Sequence, residues 1–367
     1  MSSLRSVYVV AVTLISGLAL VACGTDNSGT GGSSSASTSI AGQPCQAGSI
    51  KASGSSAQKN AMAAWVNAYQ SACGTGSTIN YQATGSGAGI QDFINKQTAF
   101  AGSDSPLKDA DRAKADAMCA AGPAIDIPMV GGAIVLAYNV SGVNSLVLPA
   151  NVIAGIYANT IKTWNDPAIV AANPGVTLPT ATIAAFHRSD SSGTTDNFTK
   201  YLKSAASSMW TYDSGKDWAA PGGQGAKGSD GMANAVTATA NSIAYMELSF
   251  AQNANLAVAS VDNGGGAIVP SSETASSTIA AATVKGTGND LSLSIDYTTK
   301  TGYPIVLVTY EITCQKGGDP ANVPLTKAFL TYTSSDEGQG KLSAIGYVPI
   351  TGDLLTKVRT SVSSISS

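Results

Sequence analysis

From residue 49 onward one local design recurs along the chain. A short strand-like run ends in glycine and serine, and a segment with apolar residues at helical spacing follows. "SIKASGSS" leads into "AQKNAMAAWVNAYQSA", where Met62, Trp65, Val66 and Tyr69 fall on one helical face. "TINYQATGSGAG" leads into "IQDFINKQ", with Ile90, Phe93 and Ile94 on one face. "AFAGSDSPL" precedes the polar helical pattern "KDADRAKADAM", and "TIAAFHRSDSSGTTDNFTKYLKSA" repeats strand, polar turn and helix. Strands alternating with helices predict an α/β fold with parallel sheets.

Two runs break this rhythm. "AIDIPMVGGAIVLAYNV" reads as one or two buried strands, and "YPIVLVTYEITC" as another. Strands apolar on both faces are buried on both faces, and long ones can cross between lobes. The expectation is a two-lobed α/β protein with two sheets, a cleft and crossing strands as its hinge. The stretch "VPLTKAFLTYTSSDEGQGKLSAIGYVPI" predicts two helices and a short closing strand.

Composition narrows the function. Of 367 residues only 12% are charged, the net charge is −3, and no run of like charges occurs. Nucleic acid is excluded as a partner, because phosphate-backbone binding needs clustered Lys and Arg. At the N-terminus Arg5 precedes the apolar run "VYVVAVTLISGLALVAC", too short for a membrane span. Residues 1–22 read as a signal peptide. Leu20-Val21-Ala22-Cys23 resembles a lipobox, with Cys23 as the lipidated residue. The Gly/Ser/Thr-rich stretch that follows makes 23–46 a flexible tether. Cys45, Cys73, Cys119 and Cys314 remain, an even number that favours two disulfides in an exported chain. Cys73 follows the first helix and Cys119 precedes a core strand, so the expected pairs are Cys73–Cys119 and Cys45–Cys314, one of three possible connectivities. One histidine and this cysteine spacing give no metal site.

Three turns share a chemistry: Gly54-Ser55-Ser56, Gly85-Ser86-Gly87 and Ser192-Gly193-Thr194. Each is placed to open a helix, where unpaired N–H groups and the positive end of the dipole face outward. Glycine lets a ligand approach the backbone and a hydroxyl adds a donor, which together suit an oxyanion. Serine and threonine also cap ordinary helices, so the weight lies in the set of three and in Arg188 beside the last. Asp190 is placed to orient that guanidinium. Asp104, in "GSDSPL", reads either as the cap of a helix starting near Pro106 or as part of the site. A carboxylate in an anion site makes sense when the anion carries a proton to donate. Hydrogen phosphate does, and sulfate at neutral pH does not.

In combination "ASGSSAQ", "NYQATGSGAGI", "GSDSPL", "TIKTWNDPAI", "FHRSDSSGTTDNF", "KGSDGM" and "YPIVLVTYEI" resemble, in order, the phosphate-binding lipoproteins of bacterial phosphate ABC transporters, the PstS family, and its actinobacterial members most. The resemblance runs from about Ser49 to the C-terminus. It implies a periplasmic-binding-protein fold of the second type, with two α/β lobes closing on the ion. It places Ser56, Ser86, Asp104, Arg188, Ser192, Gly193 and Thr194 on phosphate-contacting positions, and Asp190 on the position that pairs with the arginine. Ala57 falls where the family gives a backbone N–H, often from an aromatic residue. It implies lobe I over 47–132 plus 262–367 and lobe II over 133–261. It also implies a monomer without cofactor, anchored by lipid on the outer face of the cell membrane, that delivers inorganic phosphate to permease subunits.

Other readings carry less. A secreted phosphatase using the same cradle would need a nucleophile with a metal or general acid. An adhesin or signalling lipoprotein would not need the full donor set. A binder of sulfate or molybdate would have no use for Asp104. His187 is the one histidine, but neighbours along a strand point to opposite faces, so with Arg188 in the cleft His187 is outside it. The chain carries neither G-x-S-x-G nor a Walker A motif, and no enzymatic activity is expected.

The lipobox makes a direct prediction. Intact-mass measurement of the exported protein should show acyl chains on wild type and none on Cys23→Ala; a wild type without lipid would refute the anchor.

Overall fold

The computed structural model describes residues 39–367. The signal peptide, Cys23 and most of the expected tether lie outside the described residues. The end of that tether is not irregular: Ser39–Ile40 pairs antiparallel with Gln43–Pro44.

The expected alternation of strands and helices is present. β1 (Gly48–Gly54), α1 (Lys59–Cys73), β2 (Ser77–Gln82), α2 (Ser86–Ile94), β3 (Phe100–Ser103) and α3 (Asp109–Met118) form the first series. The long strand β4 (Ala124–Asn139) follows. β5 (Ala184–Arg188), α4 (Gly193–Ala205), β6 (Gln224–Ala226), α5 (Gly228–Ala238) and β7 (Ser242–Glu247) form a second series. β8 (Val306–Cys314), α6 (Val323–Thr333), β9 (Val348–Pro349) and α7 (Gly352–Ser363) close the chain. Asp104 lies five residues before α3, whose cap position is Lys108, so the helix-cap reading of Asp104 fails.

Ten strands form one sheet, with β2-β1-β3-β8-β4-β7-β5-β6 in order along it. Strands β2, β1 and β3 are mutually parallel, as are β7, β5 and β6. β8 and β4 join the two groups by antiparallel pairing. The run "AIDIPMVGGAIVLAYN" is thus a single strand: its first part pairs with β8 and its second with β7. Crossing from one group to the other buries it on both faces, which explains the absence of alternation. The β8–β4 register shifts between Thr309 and Tyr310, opposite Val130 and Pro128. Pro128 has no N–H to give a ladder, so a bulge there is the natural accommodation.

The helical faces pack as their periodicity predicts. Met62, Trp65 and Tyr69 of α1 are buried, as are Ile90 and Phe93 of α2. Each such side chain stabilises the fold by about 1.5–3 kcal/mol. Trp65 also donates its indole N–H to the Gly338 carbonyl at 2.8 Å.

The cysteines pair differently from the expectation. The bonds are Cys45–Cys73 and Cys119–Cys314, with Cα separations of 5.4 and 5.5 Å, not Cys73–Cys119 and Cys45–Cys314. The reason is strand direction. A helix after a parallel strand runs back beside it, so Cys73 at the end of α1 returns to Cys45, just before β1. Antiparallel register sets Cys314 opposite Ala124 at the start of β4, and Cys119 lies just before that strand.

β8 also buries an acid. Glu311 is fully buried, and burial pushes its pKa from 4.5 up to about 8, with Gln58 opposing and the charge of Asp104 reinforcing the rise.

Two outcomes are expected. Non-reducing peptide mapping should recover Cys45–Cys73 and Cys119–Cys314, and removing the second pair should lower stability by about 2–5 kcal/mol. For Glu311 the folded protein holds the proton more tightly than the unfolded chain. Its contribution is therefore complete below about pH 4.5 and is lost as pH rises through about 8. Glu311→Gln should flatten the decline of melting temperature across that window; an unchanged profile would exclude a neutral Glu311.

Candidate functional site

In open parallel sheets, ligands bind beyond the carboxyl ends of the strands where the topology switches. Here β1 ends at Gly54, β2 leads to Gly85-Ser86, β3 ends at Ser103 beside Asp104, and β5 ends at Arg188. The structure brings all of these turns together between the two parallel groups. Ser56, Ala57, Ser86, Asp104, Arg188, Ser192 and Thr194 are all buried.

Asp104 is the junction. Its Oδ1 accepts from the Ser55 hydroxyl (2.5 Å) and from Thr309 opposite the β4 bulge (2.8 Å), and its Oδ2 accepts from Ser86 (3.1 Å). Burial raises its pKa to about 6, with the Ser55 hydrogen bond opposing and the charge of Glu247 adding to the rise. Ser86 Oγ accepts from the Asp104 N–H and from the Gly193 N–H, both at 3.2 Å. The second of these bonds joins the two halves of the sheet. Gly193 must be glycine: a Cβ there would lie 2.6 Å from Asp104 Cβ and 2.7 Å from Ser86 Oγ.

Arg188 is 2% exposed and forks onto Asp190, with Nε to Oδ1 at 2.7 Å and Nη2 to Oδ2 at 2.5 Å. Burial disfavours the guanidinium, but the hydrogen bond and charge of Asp190 more than offset it, so its pKa rises. Asp190 feels the converse: burial would raise its pKa, and Arg188 holds it below the ordinary value. Asp190 also accepts from the Gly228 N–H at 3.0 Å. Nη1 of Arg188 lies 3.4 Å from Thr194 Oγ1, so one edge of the guanidinium turns toward the start of α4.

The other expected residues take individual places. Ser192 caps α4, its Oγ accepting from the Thr195 N–H at 3.3 Å. Ser56 Oγ lies 3.0 Å from Ser229 Oγ and accepts from the Ser229 N–H at 3.2 Å, a second bond between the two halves. The Ala57 N–H donates to Ser55 Oγ at 3.0 Å within its own turn. His187 lies apart, stacked on Trp218 with ring centroids 5.0 Å apart.

Several residues of the site were not singled out from sequence. Thr309 holds Asp104 alongside Ser55 of the first turn, and Tyr245 receives the Arg188 N–H at 3.0 Å. Gly228 and Ser229 open α5 with the same Gly-Ser signature as the other turns, a signal present in "KGSDGM". Glu247, the last residue of β7, accepts from Thr194 at 2.6 Å while 1% exposed. A glutamate ending the otherwise apolar run "SIAYME" was the visible signal. Among the described residues no cluster of His, Cys, Asp and Glu could hold a metal ion.

The chain and its fold are similar to known proteins. The sequence pattern described as "PBP superfamily domain" matches residues 39–337. The chain is 42% identical over 364 residues to the phosphate-binding protein PstS 3 of Mycobacterium tuberculosis, covering 97% of this chain and 98% of that protein. It is 33% identical over 325 residues to the phosphate-binding protein PstS of Haemophilus influenzae, covering 86% and 92%. The fold is similar to that of a high affinity periplasmic phosphate-binding protein solved with phosphate bound: TM-score 0.69, 22% identity, 85% of this chain and 93% of that one. The chain belongs to the PBP superfamily and, within it, to the PstS family.

Proposed function

We propose that this protein captures inorganic phosphate between the two halves of its sheet and delivers it to the permease subunits of an ABC transporter. The observation that carries the reading is Asp104. A buried carboxylate stands where the turns at Ser55, Ser86 and Gly193 meet, held by the hydroxyls of Ser55, Ser86 and Thr309. Positive helix ends and Arg188 attract an anion. A carboxylate among them favours an anion that can donate a hydrogen bond, as hydrogen phosphate and dihydrogen phosphate can. Relatives named phosphate-binding proteins, aligned over nearly the whole chain, support the same ligand.

In this reading Ser56, Ala57, Ser86, Ser192, Gly193 and Thr194 supply hydroxyl and backbone donors, Arg188 supplies charge, and Asp190 orients it. Fixed dipoles in a dry site act strongly because little solvent screens them. Lobe I is 47–132 plus 262–367 and lobe II is 133–261, with β4 as the strand that crosses between them. The protein acts as a monomer outside the cytoplasm, held to the outer face of the cell membrane by lipid on Cys23. Its role is carriage without chemistry, which the relatives named phosphate-binding proteins support.

Competition titration tests both ligand and selectivity. Wild type should prefer phosphate over sulfate by about 10⁴-fold or more, because a group built to pair with a ligand hydroxyl is left facing bare oxygen in sulfate. Asp104→Asn can donate as well as accept, so it should admit sulfate and still bind phosphate. Arg188→Ala should weaken both anions, because it removes attraction and leaves selectivity. If Asp104→Asn excludes sulfate as strongly as wild type, Asp104 is not the selective group.

A further inference from the structure

α4 opens with Gly193 and Thr194 of the proposed ligand set. Asp196 and Asn197 follow, both buried, and both reach out of their own helix. Asp196 Oδ2 accepts from Lys200 of α4 at 2.6 Å and from the Ser105 hydroxyl at 2.6 Å, and its Oδ1 lies 3.8 Å from Lys108 Nζ. Asn197 Nδ2 donates to the Gly193 carbonyl of α4 at 2.8 Å and to the Asp104 carbonyl at 2.6 Å. Its Oδ1 accepts from the Tyr297 hydroxyl at 2.5 Å. Asp196 and Asn197 lie in lobe II, whereas Asp104, Ser105, Lys108 and Tyr297 lie in lobe I. Each of the two residues thus has one partner on its own helix and others across the cleft. Burial would raise the Asp196 pKa, but Lys200, Ser105 and Lys108 hold it below the ordinary value. Its cross-cleft contacts are therefore those of an ionised acid.

We infer that Asp196 and Asn197 form a latch that holds the two lobes closed through contacts outside the ligand, and so set how tightly and how long phosphate is held. The inference rests on the phosphate reading and on lobes that part to admit the ion. Lys200 and Gly193 travel with α4, so neither the acid nor the amide is stranded when the lobes separate. Ser105 and Tyr297 each own one hydroxyl hydrogen, and each spends it across the cleft. The gain from those two bonds is confined to the closed form. Asn197 also grips the backbone of Asp104, while the same helix presents Gly193 and Thr194 to the site. Docking of α4 on lobe I and assembly of the donor set are then one movement. An apparent dissociation constant is the intrinsic constant divided by the fraction of protein in the competent form. A weaker latch lowers that fraction without removing any ligand contact, so Asp196 and Asn197 are positioning residues.

Ser105→Ala and Tyr297→Phe each delete one cross-cleft bond and leave α4 and the ligand donors in place. Calorimetry and stopped-flow kinetics with inorganic phosphate and with arsenate should show each variant binding roughly fivefold more weakly, the worth of one net hydrogen bond. The loss should appear as faster release. The phosphate-to-arsenate ratio should keep its wild-type value, and both variants saturated with phosphate should scatter X-rays as saturated wild type does. Wild-type dissociation constants and release rates in both variants, even with lowered melting temperatures, would make these contacts packing alone and overturn the inference. Wild type that binds phosphate with no change in scattering would overturn it as well, because nothing then closes. An absence of phosphate binding by wild type would instead sink the phosphate reading beneath it.

Discussion

Burying a carboxylate without a cation of its own is costly, and Asp104 shows how this fold meets that cost. An isolated ionised acid in a dry interior would take up a proton unless enough donors surround it. Ser55, Ser86 and Thr309 are those donors, and they come from three separate parts of the chain. Each donor depends on a different piece of architecture. Ser55 needs the turn after β1, Ser86 opens α2, and Thr309 sits where β8 meets the bulge at Pro128. The close approach of Gly193 then presses the second half of the sheet against the same carboxylate. Sheet order, bulge and glycine all serve one group whose pKa remains near 6.

The electrostatics of the site are built the same way from both sides. Arg188 is matched by Asp190 through a two-pronged contact that fixes the guanidinium plane, while its remaining edge looks toward Thr194. Cation and acids are locked by neighbours before any ligand arrives, so little reorganisation is left for binding. The acids outnumber the cation.

What could be read from the sequence was local, and what could not was long-range. The Gly-Ser turns at 54–56, 85–87 and 192–194 were legible because a glycine, a hydroxyl and the helix after them lie within a few residues. Arg188 and Asp190 were legible for the same reason. Thr309 was not, since a threonine in the apolar run "VLVTYEITC" gains meaning only from the register that sets β8 against β4 and β3. Glu247 was passed over inside a strand pattern. The cysteine pairing failed on the same ground: it is decided by which strand ends lie side by side, and the spacings of four cysteines along a chain do not contain that. The helix α7 near the C-terminus, beyond the expected closing strand, also went unread.

The path of β4 and β8 has a consequence for how the chain matures. β4 begins at Ala124 and finds its main partner only at Val306–Cys314, after the whole second series of strands and helices has emerged. Pairings this distant raise contact order, and loop closure must precede any reward from them, which slows folding. The first βα unit is different. Its disulfide spans 28 residues and can close as soon as α1 turns back, whereas the bond at Cys314 spans 195. A chain crossing a membrane N-terminus first would therefore lock one edge of its sheet early and remain open through its centre until nearly all of it has been translocated. During that interval the unpaired edges of β4 are exposed, the condition under which a strand can pair with the wrong partner.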